Sequence, residues 1–284
     1  MPKLLLIKFI LSALKDALKP VKRIKSPDPV VDERKIQIWM IGHATMLINF
    51  YGTVILTDPV FGKWLPFPRR IIDPGLKIKQ LPKIDFILQS HMHWDHFHIR
   101  SVKKIANADM KIIMPEDCAD LTKGMDFKAV VEMKPGETRE ESGVKITTYR
   151  PHHWGKRVPW EEEVRGYNSY VLEKNSQKLF FCGDSGYGPV FREVYEAHGS
   201  MDISLLPIGA YDPPSVMKKE HMDPEEALQA KRDLDAKIMI PFHFGNFRLS
   251  EEPMDEPVER LLSLISKQNI GGVQVLYNGR IFST

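Results

Sequence analysis

The stretch Ser90-His91-Met92-His93-Trp94-Asp95-His96 constrains this chain more than any other. Three imidazoles and a carboxylate fall within six residues, His91 to His96. They follow Ile84-Asp85-Phe86-Ile87-Leu88, a short apolar run that reads as a buried strand. The cluster therefore sits where a strand gives way to a loop. Successive strand side chains point to opposite faces, whereas a loop lets several converge on one point. Neutral imidazole nitrogens and carboxylate oxygens are ligands that zinc takes at about 2.0–2.2 Å. A histidine-rich surface loop is the plain alternative, and the density of potential ligands argues against it.

At 284 residues the chain can bury a large core. A formal net charge of +3 offers no strongly basic surface, so nucleic acid is not an expected partner. Cys118 and Cys182 are too few and too far apart for a disulfide framework, which points to a reducing, cytoplasmic location. Cys182, beside Gly183-Asp184, reads as a small core residue. Residues 1–30 stand apart from the main domain, 31–284. Leu4 to Leu18 is mostly apolar, while Lys8, Ser12, Lys15, Asp16 and Lys19 recur at helical spacing as one polar strip. The run is too short and too interrupted to span a bilayer. Such a helix either lies in a membrane interface or packs on the protein's own surface. The first choice would make residues 1–25 a peripheral membrane contact, with Lys22, Arg23 and Lys25 favouring anionic lipid. Ser26-Pro27-Asp28-Pro29 reads as a linker.

Beyond the linker, strands are expected at Ile36 to Ile41, Met46 to Phe50 and Thr53 to Thr57, with Tyr51-Gly52 as a tight turn. Later strands are expected at Met110 to Met114, Ala129 to Glu132, Val144 to Tyr149, Tyr167 to Glu173 and Lys178 to Cys182. Asp202 to Leu206, Lys237 to Pro241 and Val273 to Leu276 complete the set. Helices are expected near Ile99 to Ala106, Glu116 to Lys123 and Val190 to Ala197, and from Pro224. There Asp223 is an N-cap, Pro224 a first-turn proline and Glu226 the partner of a capping box. The pattern is that of a layered α/β sandwich. Further polar groups fall at predicted strand ends: His152 and His153 after one, Gly183-Asp184-Ser185-Gly186 after another, His243-Phe244-Gly245 after a third. Each alone is as readily structural. Together they lie where α/β proteins commonly build sites.

The order His-x-His-x-Asp-His, a distant His, a Gly-Asp and a final His resembles the metallo-β-lactamase superfamily. A narrower resemblance, to its N-acyl-phosphatidylethanolamine-hydrolysing phospholipase D branch, is carried by six segments. They are Trp39 to Thr45, Thr57-Asp58-Pro59, His153-Trp154-Gly155-Lys156-Arg157, Gly183 to Tyr187, Pro207 to Pro213 and His221 to Ala227. The resemblance implies an αββα sandwich of two similar halves. It implies that His91, His93 and His153 hold one ion, that Asp95, His96 and His243 hold a second, and that Asp184 bridges them. Two zinc ions are the expected cofactors, with iron or manganese also suited to such ligands. Two such ions share a water and lower its pKa from 15.7 toward about 7, giving a bridging hydroxide. Asp95 and Asp184 would then serve catalysis as well as binding, and His221 would contact phosphate or act as an acid. A closed structural zinc site competes with this reading but uses four ligands, not seven.

The implied activity is that of a metal-dependent phosphodiesterase releasing N-acylethanolamine and phosphatidate from N-acyl-phosphatidylethanolamine or a related phospholipid. A lactonase or other ester hydrolase with the same dinuclear site, and a non-catalytic metal-binding sensor, are the alternatives. Homo-oligomerisation is left open. His43 is either an orienting neighbour of a ligand or purely structural, and Asp58 is an orienting carboxylate or a turn residue. Lys156 and Arg157 either meet a lipid phosphate or form a solvated basic pair. His98 and His152 read as non-ligands and His198 as a helix-end residue. Glu161-Glu162-Glu163 reads as a solvated face. Phe61 to Pro68 would line an acyl-chain groove, touch a bilayer or join the core.

Overall fold

The run Ile36-Gln37-Ile38-Trp39-Met40-Ile41-Gly42 forms strand β1, and every residue in it is buried. Burial is that complete because the strand is covered on both faces. Ile36, Ile38 and Met40 enter one apolar cluster, while Trp39 and Ile41 enter another with Val102 and Ile105 of a helix outside the sheet. The period-2 alternation of a strand thus divides between two cores. The structure, a computed structural model, describes residues 12–66, 68–158, 161 and 165–284.

Strands β1 (Ile36–Gly42), β2 (Thr45–Phe50), β3 (Thr53–Thr57), β4 (Phe86–Leu88), β5 (Lys111–Pro115) and β6 (Ala129–Met133) make the first sheet. The second contains β7 (Thr138–Glu141), β8 (Val144–Tyr149), β9 (Ser169–Lys174), β10 (Gln177–Phe181), β11 (Ile203–Pro207) and β12 (Ile238–Phe242). A last strand, β13 (Ile281–Ser283), returns to the first sheet beside β1. The sheet orders are β13-β1-β2-β3-β4-β5-β6 and β12-β11-β10-β9-β8-β7. The inward faces share one core containing Ile38, Phe86, Tyr170 and Phe181. Helix α1 (Ile99–Ile105) covers the outside of the first sheet, and α2 (Val190–His198), α4 (Pro224–Asp233) and α5 (Glu256–Gln268) cover the second. A single turn, α3 (Pro214–Met217), lies between α2 and α4. The result is the four-layered αββα arrangement.

Strand direction explains where polar groups gather. β3 to β6 are mutually parallel, and β1 runs the same way because two antiparallel pairings separate it from β3. By the same logic β8 runs with β10, β11 and β12. The ends of β1, β3 and β4 therefore open on one sheet edge, and those of β8, β10 and β12 on one edge of the other.

Several elements differ from expectation. Glu116 to Lys123 is not a helix but a short 3-10 turn, Ala119–Thr122. The Glu132 carboxylate accepts hydrogen bonds from the backbone N–H groups of Cys118 and Ala119 and ties this segment to β6 instead. Val273 to Leu276 forms no strand and makes only an isolated bridge to Met239. β7 reads Thr-Arg-Glu-Glu, a charged edge strand whose composition hides it. Near the N-terminus, residues 12–18 are helical. Asp16 does not face water as Lys15 and Lys19 do: it is buried, accepting from Arg248 and Lys19. Leu14 and Leu18 instead turn outward, 50% and 86% exposed. The earlier part of that expected helix lies outside the described residues. No helix among the described residues is long and apolar enough to cross a membrane.

Phe181 is fully buried between the sheets, its ring 5.9 Å from that of Phe242. Phe181→Ala is expected to lower unfolding free energy by about 3–5 kcal/mol in urea titrations. Leu262→Ala, on the exposed face of α5, should change it by less than about 0.5 kcal/mol.

Candidate metal centre

Two groups of donor atoms meet where the sheet edges face each other. In the first, His91 Nε2 and His153 Nε2 lie 3.0 and 3.2 Å from His93 Nδ1. Three imidazole nitrogens cannot all be satisfied by one another at such distances. A tetrahedral cation about 2.0–2.1 Å from each would hold them about 3.3 Å apart, close to what is seen. In the second, Asp95 Oδ2 lies 3.5 Å from His96 Nε2 and 3.4 Å from His243 Nε2, and Asp184 Oδ2 lies 3.1 Å from both nitrogens. That same Asp184 oxygen is 3.9 Å from His91 Nε2, between the two groups.

His96 Nε2, His243 Nε2 and Asp184 Oδ1 are buried without a hydrogen-bond partner among the described residues. An unsatisfied buried polar group costs about 1–3 kcal/mol, so a pocket of them needs an occupant of opposite character. Both groups fit a divalent cation by donor type and spacing. The protonation pattern agrees. Burial pushes the His91 and His153 imidazoles down, and brings His93 to about 4, with neighbouring histidines reinforcing the effect. At His243 burial acts in the same direction but is overcome by Asp184 and Asp95, which raise it to about 9. The two carboxylates thus attract positive charge to the second group.

Outer partners fix the rings. Asp58, in a left-handed conformation with φ +32° at the end of β3, is fully buried. Its carboxylate accepts from the Ser90 N–H at 2.7 Å, the Ser90 hydroxyl at 2.6 Å and His96 Nδ1 at 2.7 Å. The Ser90 hydroxyl in turn lies 2.9 Å from His91 Nδ1. One carboxylate therefore turns Nε2 of both His91 and His96 toward the centre. His153 donates through Nδ1 to the Glu220 carbonyl at 3.1 Å. His43 Nε2 lies 2.8 Å from Asp95 Oδ2; burial, with His243 beside it, holds its pKa at about 3, so a neutral ring donates to the carboxylate. Gly183, φ +65°, is required beside Asp184 because a Cβ there would stand 2.6 Å from the Ser90 Cβ.

His221 is buried just before the Asp223 cap of α4, its Nδ1 3.8 Å from Asp184 Oδ2 and without a partner among the described residues. Burial is the main reason that its pKa falls to about 4. Arg157 is neither a solvated base nor free to meet a lipid phosphate. Its buried guanidinium donates to the carbonyls of Met92 and Phe97 and lies 4.0 Å over the Trp94 ring, clamping the histidine loop to the segment after His153. Lys156 is half-buried. Glu161 is likewise no solvated face, since it accepts from the Arg157 N–H and from Arg165; Glu162 and Glu163 lie outside the described residues. His98 Nδ1 lies 2.7 Å from the Ser101 hydroxyl, His152 is exposed, and His198 meets Tyr149 at the end of α2. Of the Phe61 to Pro68 stretch, Phe61 and Leu65 pack inward and Trp64 is 53% exposed.

The parts played by Ser90, Glu220, Trp94 and Trp154 emerge only from the structure. Trp94 and Trp154 are 38% and 37% exposed beside His93, with the Trp154 ring 4.3 Å from that imidazole and its N–H donating to Glu220. Their signal in the sequence was adjacency to ligand-type residues, which does not distinguish a wall from a core aromatic.

Residues 53–244 match the family described as Beta-lactamase superfamily domain. The chain is 30% identical over 268 residues to the N-acyl-phosphatidylethanolamine-hydrolyzing phospholipase D 1 of Caenorhabditis elegans, covering 88% of this chain and 75% of that protein. It is also 30% identical over 233 residues to the mitochondrial enzyme of the same name from Saccharomyces cerevisiae, covering 78% of this chain and half of the yeast protein. Among solved structures, a metallo hydrolase of Ignicoccus hospitalis superposes with a TM-score of 0.66 at 19% identity, over 88% of this chain and 98% of its own.

Asp58→Asn is expected to weaken metal binding about 10–100-fold, read by chelator competition, because it disturbs both His96 and the Ser90 relay to His91. His98→Ala, whose ring bonds Ser101 and packs against Gly62 away from both donor groups, should leave metal affinity within a few-fold of the parent protein.

Proposed function

This chain belongs to the beta-lactamase superfamily as a metal-dependent hydrolase, and we propose that it is a phosphodiesterase of the phospholipase D type. Its substrate in this reading is N-acyl-phosphatidylethanolamine or a related phospholipid. The observation that carries it is 30% identity, sustained over 268 residues, to a protein named for that reaction.

In this reading His91, His93 and His153 hold one ion and Asp95, His96 and His243 a second, with Asp184 between them and zinc the first candidate. When bound, such ions supply Lewis acidity and lower the pKa of water. The chain's own residues do the rest. Asp95, its Oδ2 held by His43, orients the attacking water. His221 faces the same space from the other side of Asp184 and donates a hydrogen bond to a phosphoryl or departing oxygen. Trp94 and Trp154 offer apolar walls to the glycerol and acyl parts of a lipid. Attack of water on phosphorus breaks the bond to N-acylethanolamine, whose oxygen leaves with a proton, and phosphatidate remains.

A bilayer contact through residues 1–25 belongs to the same proposal. Leu14 and Leu18 point outward among Lys15, Lys19 and Arg23. Trp64 stands near them through Arg69, which lies 5.8 Å over its ring and donates to the carbonyls of Ala17 and Lys19. Apolar side chains set among basic ones suit an anionic interface.

The test is product analysis on metal-loaded protein given N-acyl-phosphatidylethanolamine in mixed micelles. Phosphatidate and N-acylethanolamine should appear and vanish with chelator, and Asp184→Ala should abolish turnover. A fully active Asp184→Ala protein would overturn the two-ion assignment. A metal-loaded protein that makes no product would redirect the search to lactones and other esters. Leu14→Ser with Leu18→Ser should reduce sedimentation with anionic vesicles while leaving turnover of a soluble diester unchanged.

A further inference from the structure

A hollow of about 390 Å³ lies between the N-terminal segment and the loop after β3, and none of its lining residues is a donor to the metal centre. Its size falls within the roughly 300–1,000 Å³ of small-molecule sites. Val21 and Arg23 form one wall, and Phe61, Lys63, Arg69 and Arg70 form the others. The walls are stitched together through their backbones. The Lys22 N–H donates to the Ile71 carbonyl and the Asp73 N–H to the Lys22 carbonyl, both at 2.9 Å. The Arg70 N–H donates to the Lys63 carbonyl at 2.8 Å. The hollow is therefore a preformed feature of the fold.

Its charges are not balanced from within. Arg70 is 1% exposed, and its guanidinium donates to the carbonyls of Gly62 and Val60 and to the Asn246 amide oxygen. All three acceptors are neutral, so a buried cation lacks the counter-charge it would ordinarily have. Beside it, Arg69 donates through Nη1 to the carbonyls of Ala17 and Lys19, while its Nε is buried with no partner among the described residues. Lys63 is exposed, and Arg23, its side chain 86% exposed, reaches Asp73 only at 3.5 Å. Asp73 is the single acid in the lining, against four cations. The surrounding surface continues the imbalance. Lys25, Lys77 and Lys79 line one adjoining hollow and Arg100 and Lys104 another, with Asp28 their single acid. The whole chain is nearly balanced, with 40 Lys and Arg against 37 Asp and Glu, so positive charge is concentrated on this side.

Neither water nor a neutral polar group compensates such a charge, so the occupant is an anion. The cations meet it from several directions: Arg23 from the N-terminal segment, Lys63 and Arg69 from the two arms joined by the Trp64 to Arg69 bridge, and Arg70 from the floor. A phosphate offers oxygens tetrahedrally to such a ring, whereas a planar carboxylate offers two in one plane. The apolar surroundings select its source. The exposed Trp64 ring lies against the Arg69 guanidinium, and exposed Leu18 sits between the two residues whose carbonyls Arg69 holds, with Leu14 one turn before it. A soluble phosphate would leave all three in water. We propose that this hollow binds the phosphate of an anionic phospholipid, with Trp64, Leu14 and Leu18 entering the bilayer around it. The proposal rests on the bilayer contact inferred above for residues 1–25 and does not depend on which ester the enzyme cleaves.

The test is sedimentation of metal-loaded protein with phosphatidylcholine vesicles, pure or doped with phosphatidylglycerol. Phosphatidylglycerol should tighten binding about tenfold or more. Arg23→Gln with Lys63→Gln should weaken binding to the doped vesicles about tenfold more than Lys79→Gln with Lys104→Gln, which removes as much charge from the same side outside the hollow. Crystals of the zinc-loaded protein soaked in tungstate, a heavy analogue of phosphate, should show tungsten between Lys63 and Arg69. Equal losses in the two double variants, or no tungsten in the hollow, would overturn the site. Glycerol 3-phosphate that binds the parent protein as tightly as the doped vesicles do would make this a site for soluble phosphate and overturn the lipid assignment. Equal binding to pure and doped vesicles would overturn the headgroup site and leave the bilayer contact standing. Failure to sediment with either kind would overturn the bilayer contact and the lipid assignment with it, so the two failures read apart.

Discussion

The rest of the structure depends on one arrangement: buried polar groups of metal-ligand type that point at one another. His91, His93 and His153 bring three ring nitrogens together at 3.0–3.2 Å, and Asp95 and Asp184 crowd His96 and His243 in the same way. Each unmet buried group costs about 1–3 kcal/mol, and together they approach the whole stability of a typical domain, about 5–15 kcal/mol. A fold can hold such a cluster only if its frame is otherwise generous. Here the frame is two sheets sharing an apolar core, each covered again by helices.

Rigidity at the centre comes from residues that are not themselves donors to it. Asp58 orients two rings through three hydrogen bonds, and Arg157 holds the histidine loop by its backbone carbonyls. Both are buried ionisable groups, and burial raises the Asp58 carboxyl while lowering the Arg157 guanidinium to about 10. The cost of placing them there is offset by geometry: a ring fixed through its outer nitrogen has little freedom left at the inner one.

What the sequence revealed followed sequence distance. The His91 to His96 cluster is local, and β1, β8 and β10 announce themselves as apolar runs, so these were legible. The capping box of α4 was legible for the same reason, since Asp223 and Glu226 are three residues apart. The charged edge strand β7 was not, because its pairing with β8 depends on a neighbour and not on its own composition. Asp16 and Arg157 show the deeper limit. Each reads as a surface charge, yet Asp16 is buried by Arg248, 232 residues away, and Arg157 by carbonyls of a distant loop. His43 is ambiguous from sequence alone, because the Asp95 carboxylate 2.8 Å from its ring is 52 residues away along the chain.

The return of β13 to the edge of β1 has a consequence for how the protein is made. Ile281–Ser283 pairs with Gln37 to Trp39, so the first sheet stays open at that edge until residue 283 has been synthesised. His243 likewise follows His91 by 152 residues. At ribosomal rates of about 5–20 residues per second, that separation alone is about 8–30 seconds. During that interval the nascent chain carries an unpaired strand edge and an incomplete set of donors. A cation that needs His243 could join only after that residue has been made, later than one held by His91, His93 and His153, whose set is complete 90 residues earlier.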